Sequence, residues 1–256
     1  MRNVRLLVAY DGSRFFGWQR QDGFDSVQQS LEEAVLAATG QRATVHGAGR
    51  TDTGVHALGQ VASLHLDTRL TDDRLRHALN AHLPPGVVVR EAETCADDFH
   101  ARFSAVSKRY AYHVVTSRFA PAFGCTQTHW ISWPLDVPRM RRAASALLGT
   151  HDFAAFGNTG SPRATTVRTV RHLRFVARRE RFFFVIQGDG FLYNMVRTIA
   201  GTLIDVGRGK IDEGACARAL ESRERDDAGF TAAASGLYLV SVQYPERPFA
   251  GRRTRS

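Results

Sequence analysis

The sequence predicts an α+β fold built from two similar subdomains that share a sheet. Strand-like and helix-like segments alternate in both halves of the 256 residues, without the strict βαβ period of a doubly wound sheet, and a second set of elements with the same alphabet begins at Ser107. The chain divides accordingly into residues 1–105, residues 106–246 and a basic tail, 247–256, that reads as disordered.

Val4 to Ala9 is a short apolar run cut by Tyr10-Asp11-Gly12, the pattern of a buried strand ending in a turn. Ser26 opens a helix as N-cap with Gln29 three positions on, a capping box; Leu31, Val35 and Ala38 form the apolar face and Gly40 the stop. Ala43 to His46 and Ala57 to Leu66 read as strands flanking Gly47 to His56, which is too rich in Gly, Thr and Asp to be anything but a loop. Thr71-Asp72-Asp73 caps a second helix through Ala78, Leu83-Pro84-Pro85-Gly86 stops it, and Val87 to Val89 starts another strand. The first subdomain therefore runs strand, helix, strand, strand, helix, strand.

In the second subdomain, Lys108 to Val115 alternates as a strand. Asp136-Val137-Pro138 opens a helix with Pro near its first turn, the apolar face Met140, Ala144 and Leu147, and an end at Gly149. Thr166 to Ala177 and Arg181 to Gln187 form a hairpin across Arg178-Arg179-Glu180. Leu192, Met195, Val196, Ile199 and Leu203 repeat at helical spacing up to Gly207, and Leu237 to Val242 supplies a last strand.

Composition narrows the function classes. A hydrophobic share of 43% with 22 Gly, 8 Pro and no low-complexity tract excludes disordered, collagen-like and fibrous chains. No apolar run approaches the roughly 18–20 residues of a membrane span, and the start reads as lacking a secretory signal. Three widely separated cysteines form no C-x-x-C pair, which argues against a disulfide framework and a cysteine-based zinc site and makes a reducing cytoplasm the default. The 34 Lys+Arg against 25 Asp+Glu, a net charge of +9, are the electrostatic footprint of a nucleic-acid binder; a solvated basic surface with no partner is the plainer alternative.

The densest cluster of special residues is Gly47-Ala48-Gly49-Arg50-Thr51-Asp52-Thr53-Gly54-Val55-His56-Ala57. Its three glycines free the backbone to hold one side chain, Asp52, at an awkward angle. With Arg50 two residues away, an ionised Asp52 suits a nucleophile or base; an Asp that only stabilises a tight turn is the competing reading. A dinucleotide fingerprint fails, because the third Gly of G-x-G-x-x-G falls at Asp52 and a strand follows. Asp52-Thr53-Gly54 matches the aspartic-protease tripeptide, but that chemistry needs two carboxylates, which only a symmetric dimer could bring. No Walker loop, G-x-S-x-G elbow, H-E-x-x-H helix or zinc-deaminase motif occurs, and the ten histidines are scattered.

The run Gly49 to Ala57 closely resembles the signature of the tRNA pseudouridine synthase A (TruA) family. The resemblance covers most of the chain through Tyr10-Asp11-Gly12 with Gly17-Trp18-Gln19, Leu79-Asn80 with Leu83-Pro84, Phe99 to Ser104, Lys108 to Tyr112, His151-Asp152-Phe153, Phe191 to Arg197 and Gly236 to Leu239. It implies a pseudouridine synthase fold, with two RRM- or ferredoxin-like subdomains on a mixed, mostly antiparallel sheet and a central active-site cleft. It further implies a cytoplasmic, cofactor-free and metal-free homodimer that isomerises uridine to pseudouridine in the anticodon stem-loop of tRNA. By matching motifs, Asp52 is the catalytic nucleophile or base, Tyr110 the tyrosine that stacks on the target base and relays a proton, and Arg197 the cation paired with the carboxylate. Arg50 would contact RNA backbone or the loop. A catalytically silent RNA-binding protein on the same scaffold is the rival from another class, opposed by the intact Asp52, Tyr110 and Arg197 set.

Overall fold

The computed structural model describes residues 1–158, 165–246 and 248–249. The class is α+β, a mixed sheet with several helices, and the chain forms two compact units: Met1–Val106 joined by residues from Leu239 on, and Ser107–Tyr238.

The first unit runs β1 (Arg2–Tyr10), α1 (Val27–Thr39), β2 (His46–Gly47), β3 (His56–Leu66), α2 (Asp72–His82) and β4 (Val87–Cys95), the element order read from the sequence. β1 lies between β4 and β3, antiparallel to both, and β2 pairs with β3. Val4, Leu6, Val8 and Tyr10 alternate along β1 and are buried, as are Leu31 and Val35 of α1 and Leu75 and Leu79 of α2. Truncating any of these fully buried leucines to Ala would cost about 2–5 kcal/mol.

The caps explain the helix starts. Ser26 Oγ accepts the Gln29 N–H and Thr71 Oγ1 the Arg74 N–H, each occupying one of the donors a first turn leaves orphaned. The capping box at Ser26 is only half formed, because the Gln29 amide turns forward to Glu33 at 2.9 Å. Ala38 is half-buried, and Ala34 takes its place on the inward face of α1.

The strand expected over Ala43 to His46 is reduced to His46–Gly47. Side chains of α1 intercept the backbone first: Val45 N–H donates to Glu32 Oε1 at 3.2 Å, and Gln28 Nε2 donates to Val45 C=O at 3.1 Å. With both groups of Val45 satisfied, no ladder bond is left for it to make.

The second unit comprises β5 (Ser107–Thr116), β6 (His129–Ile131), α3 (Val137–Ala144), β7 (Gly149–Asp152), β8 (Val167–Arg178), β9 (Arg181–Gly188), α4 (Met195–Gly207) and α5 (Ala215–Ser222). Its strand order is β5-β9-β8-β7, all antiparallel, with β6 parallel to β5. The β8–β9 hairpin turns on Arg179 and Glu180, Arg178 itself pairing with Arg181. The helix expected to reach Gly149 leaves α-geometry at Ala144, where Ser145 Oγ and its N–H both bind Arg142 C=O and the next turn tightens to 3-10. Gly149 then begins β7, a strand not anticipated, as were β6 and α5. α4 is buried almost all round, beyond the single face that its apolar spacing marks.

The last strand, β10 (Leu237–Gln243), lies beside β3. Of the basic tail, Pro248 and Phe249 are described, and Phe249 N–H donates to Glu93 at 2.7 Å; its other positions lie outside the described residues. Among the described residues no helix is long and apolar enough to cross a membrane.

Candidate active site

The loop between β2 and β3 is tied down along its length. Ala48 N–H donates to Val61 C=O and the fully buried Gln60 amide to Gly49 C=O, both at 2.8 Å. Thr51, also buried, offers its carbonyl to Trp18 N–H at 3.0 Å and its hydroxyl to that of Tyr10 at 2.8 Å. Register explains why Tyr10 is available: it closes β1 opposite Ala57, the second residue of β3. Burial pushes the Tyr10 hydroxyl up to about 12, against the opposing hydrogen bonds from Thr51 and Gln60, so at neutral pH it is a fixed neutral partner.

Asp52 opens the turn that this frame supports. Val55 N–H donates to Asp52 C=O at 3.1 Å, and Gly54 occupies the third turn position with φ 81°, the positive value that type II geometry demands there. Of the loop's three glycines, Gly54 alone has a positive φ, so the conformational freedom expected of all three is used at one. Gly12 closes on the turn from the side: its C=O accepts the Gly54 N–H at 3.2 Å and its N–H donates to His56 Nδ1 at 3.1 Å. A Cβ at Gly12 would sit 2.0 Å from Val55 O, which no relaxation of a side chain could relieve. Asp52 is half-buried and Arg50 is exposed.

Tyr110 and Arg197 belong to the second unit. Tyr110, on β5 opposite Ile186, is buried, with its ring edge-on to Phe191 at 5.2 Å. Arg197, half-buried in the first turn of α4, donates through Nε to Ala232 C=O at 2.8 Å and through Nη1 to Asn194 Oδ1 at 2.9 Å. Asn194 precedes α4 with φ 62°, a left-handed conformation that Asn tolerates better than most residues. Ala232 N–H returns a bond to Arg197 C=O at 3.1 Å, and Tyr112 OH holds the neighbouring Ala233 C=O at 2.8 Å. Burial pushes the Tyr112 phenol well above the usual tyrosine range, with the Arg197 guanidinium opposing.

The supporting residues were not read from the sequence. Phe191, Asn194 and Tyr10 stand in the quoted motifs, but their partners, Tyr110, Arg197 and Thr51, are 81, 3 and 41 positions away; only the second of these spacings is local.

A family model described as tRNA pseudouridine synthase matches residues 6–104 and 143–245. The tRNA pseudouridine synthase A of Acetivibrio thermocellus is 47% identical over 244 residues, covering 95% of this chain and all of that protein. Those of Thermoanaerobacter sp. and Bacillus velezensis are each 44% identical, over 244 and 245 residues, covering 95% and 94% of this chain and 100% and 98% of their own. Among solved structures, a Cbf5-Nop10-Gar1 complex overlays 79% of this chain and 45% of its own at a TM-score of 0.36 and 9% identity, too loose a likeness to bear on the fold. The matched relatives are isomerases that convert uridine to pseudouridine. This chain belongs to the tRNA pseudouridine synthase family.

Proposed function

We propose that this chain isomerises uridine to pseudouridine in the anticodon stem-loop of tRNA, with Asp52 as the reacting carboxylate. The observation that carries the assignment to Asp52 is its seat: a half-buried acid at the head of a turn that Tyr10, Gln60 and Gly12 hold in place. The two units correspond in this reading to the paired subdomains of a pseudouridine synthase.

The reaction breaks the C1′–N1 glycosidic bond, turns the base, joins C5 to C1′ and moves a proton from C5, leaving N1 protonated. Atoms are conserved and no electrons are exchanged, so the chemistry asks for no cofactor. Asp52 serves as nucleophile or base, Tyr110 stacks on the base and relays the C5 proton, and Arg197 supplies the positive charge that keeps the carboxylate ionised. Ala232 C=O and Asn194 Oδ1 hold that guanidinium by two different nitrogens, which fixes its direction. A base stacked in a stem-loop is out of reach of a carboxylate, so the target nucleotide is extruded, while Arg50 and the basic surface of a cytoplasmic homodimer bear on the phosphates.

Incubation with tRNA tritiated at uridine C5 tests the reading, because isomerisation releases that label. Wild-type protein should release it, and Asp52→Asn should abolish release while leaving tRNA affinity within about tenfold, roughly 1.4 kcal/mol. Release above one per cent of wild type, taken here as roughly 2.7 kcal/mol of barrier, would remove Asp52 from the chemistry.

A further inference from the structure

A row of rings on the first unit has no part in the chemistry above. His46 and His100 lie 5.1 Å apart between ring centroids, His100 and Phe103 4.4 Å apart, and the Arg102 guanidinium stands 5.6 Å from the Phe103 centroid. Phe103 is 76% exposed, a large apolar face left in water.

The turn that presents it is built rather than loose. Ala101 N–H donates to Ser63 Oγ at 3.0 Å, His100 N–H to Ser104 Oγ at 3.1 Å, and Ser104 N–H back to His100 C=O at 3.0 Å. His100 Nδ1 accepts the N–H groups of Arg102 and Phe103 at 3.1 and 3.4 Å, which requires the neutral imidazole at that nitrogen. Desolvation and the neighbouring His46 lower the His100 pKa, in keeping with that neutral ring.

Its position ties it to the Asp52 loop. His46 stands opposite Ser63, the residue that anchors the turn, and three residues back along β3 Gln60 holds Gly49. Three residues of strand span about 10 Å. His46, Phe103 and Arg102, all exposed, thus flank the same strand whose Gln60 holds the Asp52 loop.

Resting on the tRNA reading above, we propose that this turn is a stacking platform for RNA: the Phe103 ring takes an unpaired nucleobase of the bound tRNA, outside the target nucleotide, while Arg102 bears on its phosphate. The occupant follows from complementarity. A planar apolar face beside a guanidinium matches a base and its phosphate, and stacking of this kind tolerates any base.

Phe103→Leu keeps apolar volume and loses the planar face, whereas Phe103→Trp keeps both. Binding to tRNA and tritium release from C5-labelled tRNA are measured for both variants beside Arg102→Gln, with thermal melting to establish folding. Phe103→Leu should weaken tRNA binding by roughly tenfold, raise KM accordingly and leave the salt slope as it is, while Phe103→Trp binds as wild type does. Arg102→Gln should lower the salt slope by about one contact. A folded Phe103→Leu protein with wild-type tRNA affinity would overturn the platform, as would equal losses in the Leu and Trp variants. Failure of the tRNA reading is distinguishable, because it appears as wild-type protein that releases no tritium.

Discussion

The hydroxyls of Tyr10 and Thr51 meet at 2.8 Å, joining the last residue of β1 to the residue before Asp52. Both residues are buried, so neither hydroxyl has water to fall back on. Tyr10→Phe keeps the ring against Trp18, 6.1 Å away between centroids, and deletes this bond together with the longer one from the Gln60 amide at 3.5 Å. Leaving the Thr51 hydroxyl short of its partner should cost about 1–3 kcal/mol of stability. Because the bond fixes the residue beside Asp52, turnover should fall as well. Denaturant unfolding and tritium release on the same preparation check both, and wild-type turnover in Tyr10→Phe would show that the bond only stabilises.

Three of the buried tyrosines, Tyr10, Tyr112 and Tyr244, give the chain an alkaline limit. Burial raises the hydroxyl of Tyr10 to about 12, and raises those of Tyr112 and Tyr244 as well. Each folded value lies above the unfolded one, so the folded state holds these protons more tightly. Their stabilisation is complete below about pH 10, the unfolded tyrosine value, and is lost as pH rises through the folded values. For Tyr10 the loss between about pH 10 and 12 amounts to about 2–3 kcal/mol. Unfolding midpoints should therefore fall steeply above pH 10, with the tyrosinate absorbance of these three residues appearing together with unfolding. Ionisation of all six tyrosines in a chain that stays folded would contradict the burial argument.

What was legible in the sequence follows from how far each signal reaches. Ser26, Thr71 and Asp136 cap helices through bonds to backbone only three residues on, and all three starts were visible. Val45 was misread because the groups that satisfy its backbone sit 13 and 17 residues earlier, on Glu32 and Gln28. α5 escaped notice because its buried face is only Ala215, Cys216 and Ala219, too small to stand out as an apolar stripe. At the candidate site, Asp52 could be singled out from its local Gly-rich setting. The frame around it could not, because Tyr10, Gln60 and Gly12 reach it only through strand register and loop packing.

Arg197→Lys separates charge from geometry. Lysine keeps the cation but has no fork with which to reach Ala232 C=O and Asn194 Oδ1 from two nitrogens. Hydrogen bonds to charged groups are worth about 1.5–3 kcal/mol each, so one lost bond should lower stability by about that amount. If direction as well as charge matters, turnover should fall by at least roughly tenfold, equivalent to 1.4 kcal/mol of barrier. Wild-type turnover in the lysine variant would mean that a cation anywhere near that position suffices. Asn194→Gly, which removes one of the two supports, tolerates the left-handed backbone there and leaves the guanidinium, should show a smaller loss in the same direction.

Tyr110 has two proposed roles that one substitution can divide. Its ring is buried and meets the Phe191 ring edge-on at 5.2 Å, a packing contact that phenylalanine retains. Tyr110→Phe therefore keeps the stacking face and removes the hydroxyl. If the hydroxyl relays the C5 proton, turnover should drop by roughly 10²–10⁴ with little change in tRNA affinity. Tyr110→Ala removes both functions and also opens a cavity beside Phe191, so its stability should fall by about 3–5 kcal/mol, the cost of deleting a large buried aromatic ring. The informative comparison is thus Phe against wild type, with melting temperatures recorded so that the Ala variant's inactivity is not mistaken for lost chemistry. Near-normal tritium release by the Phe variant would leave Tyr110 as a stacking surface alone and require another group to take the proton from C5.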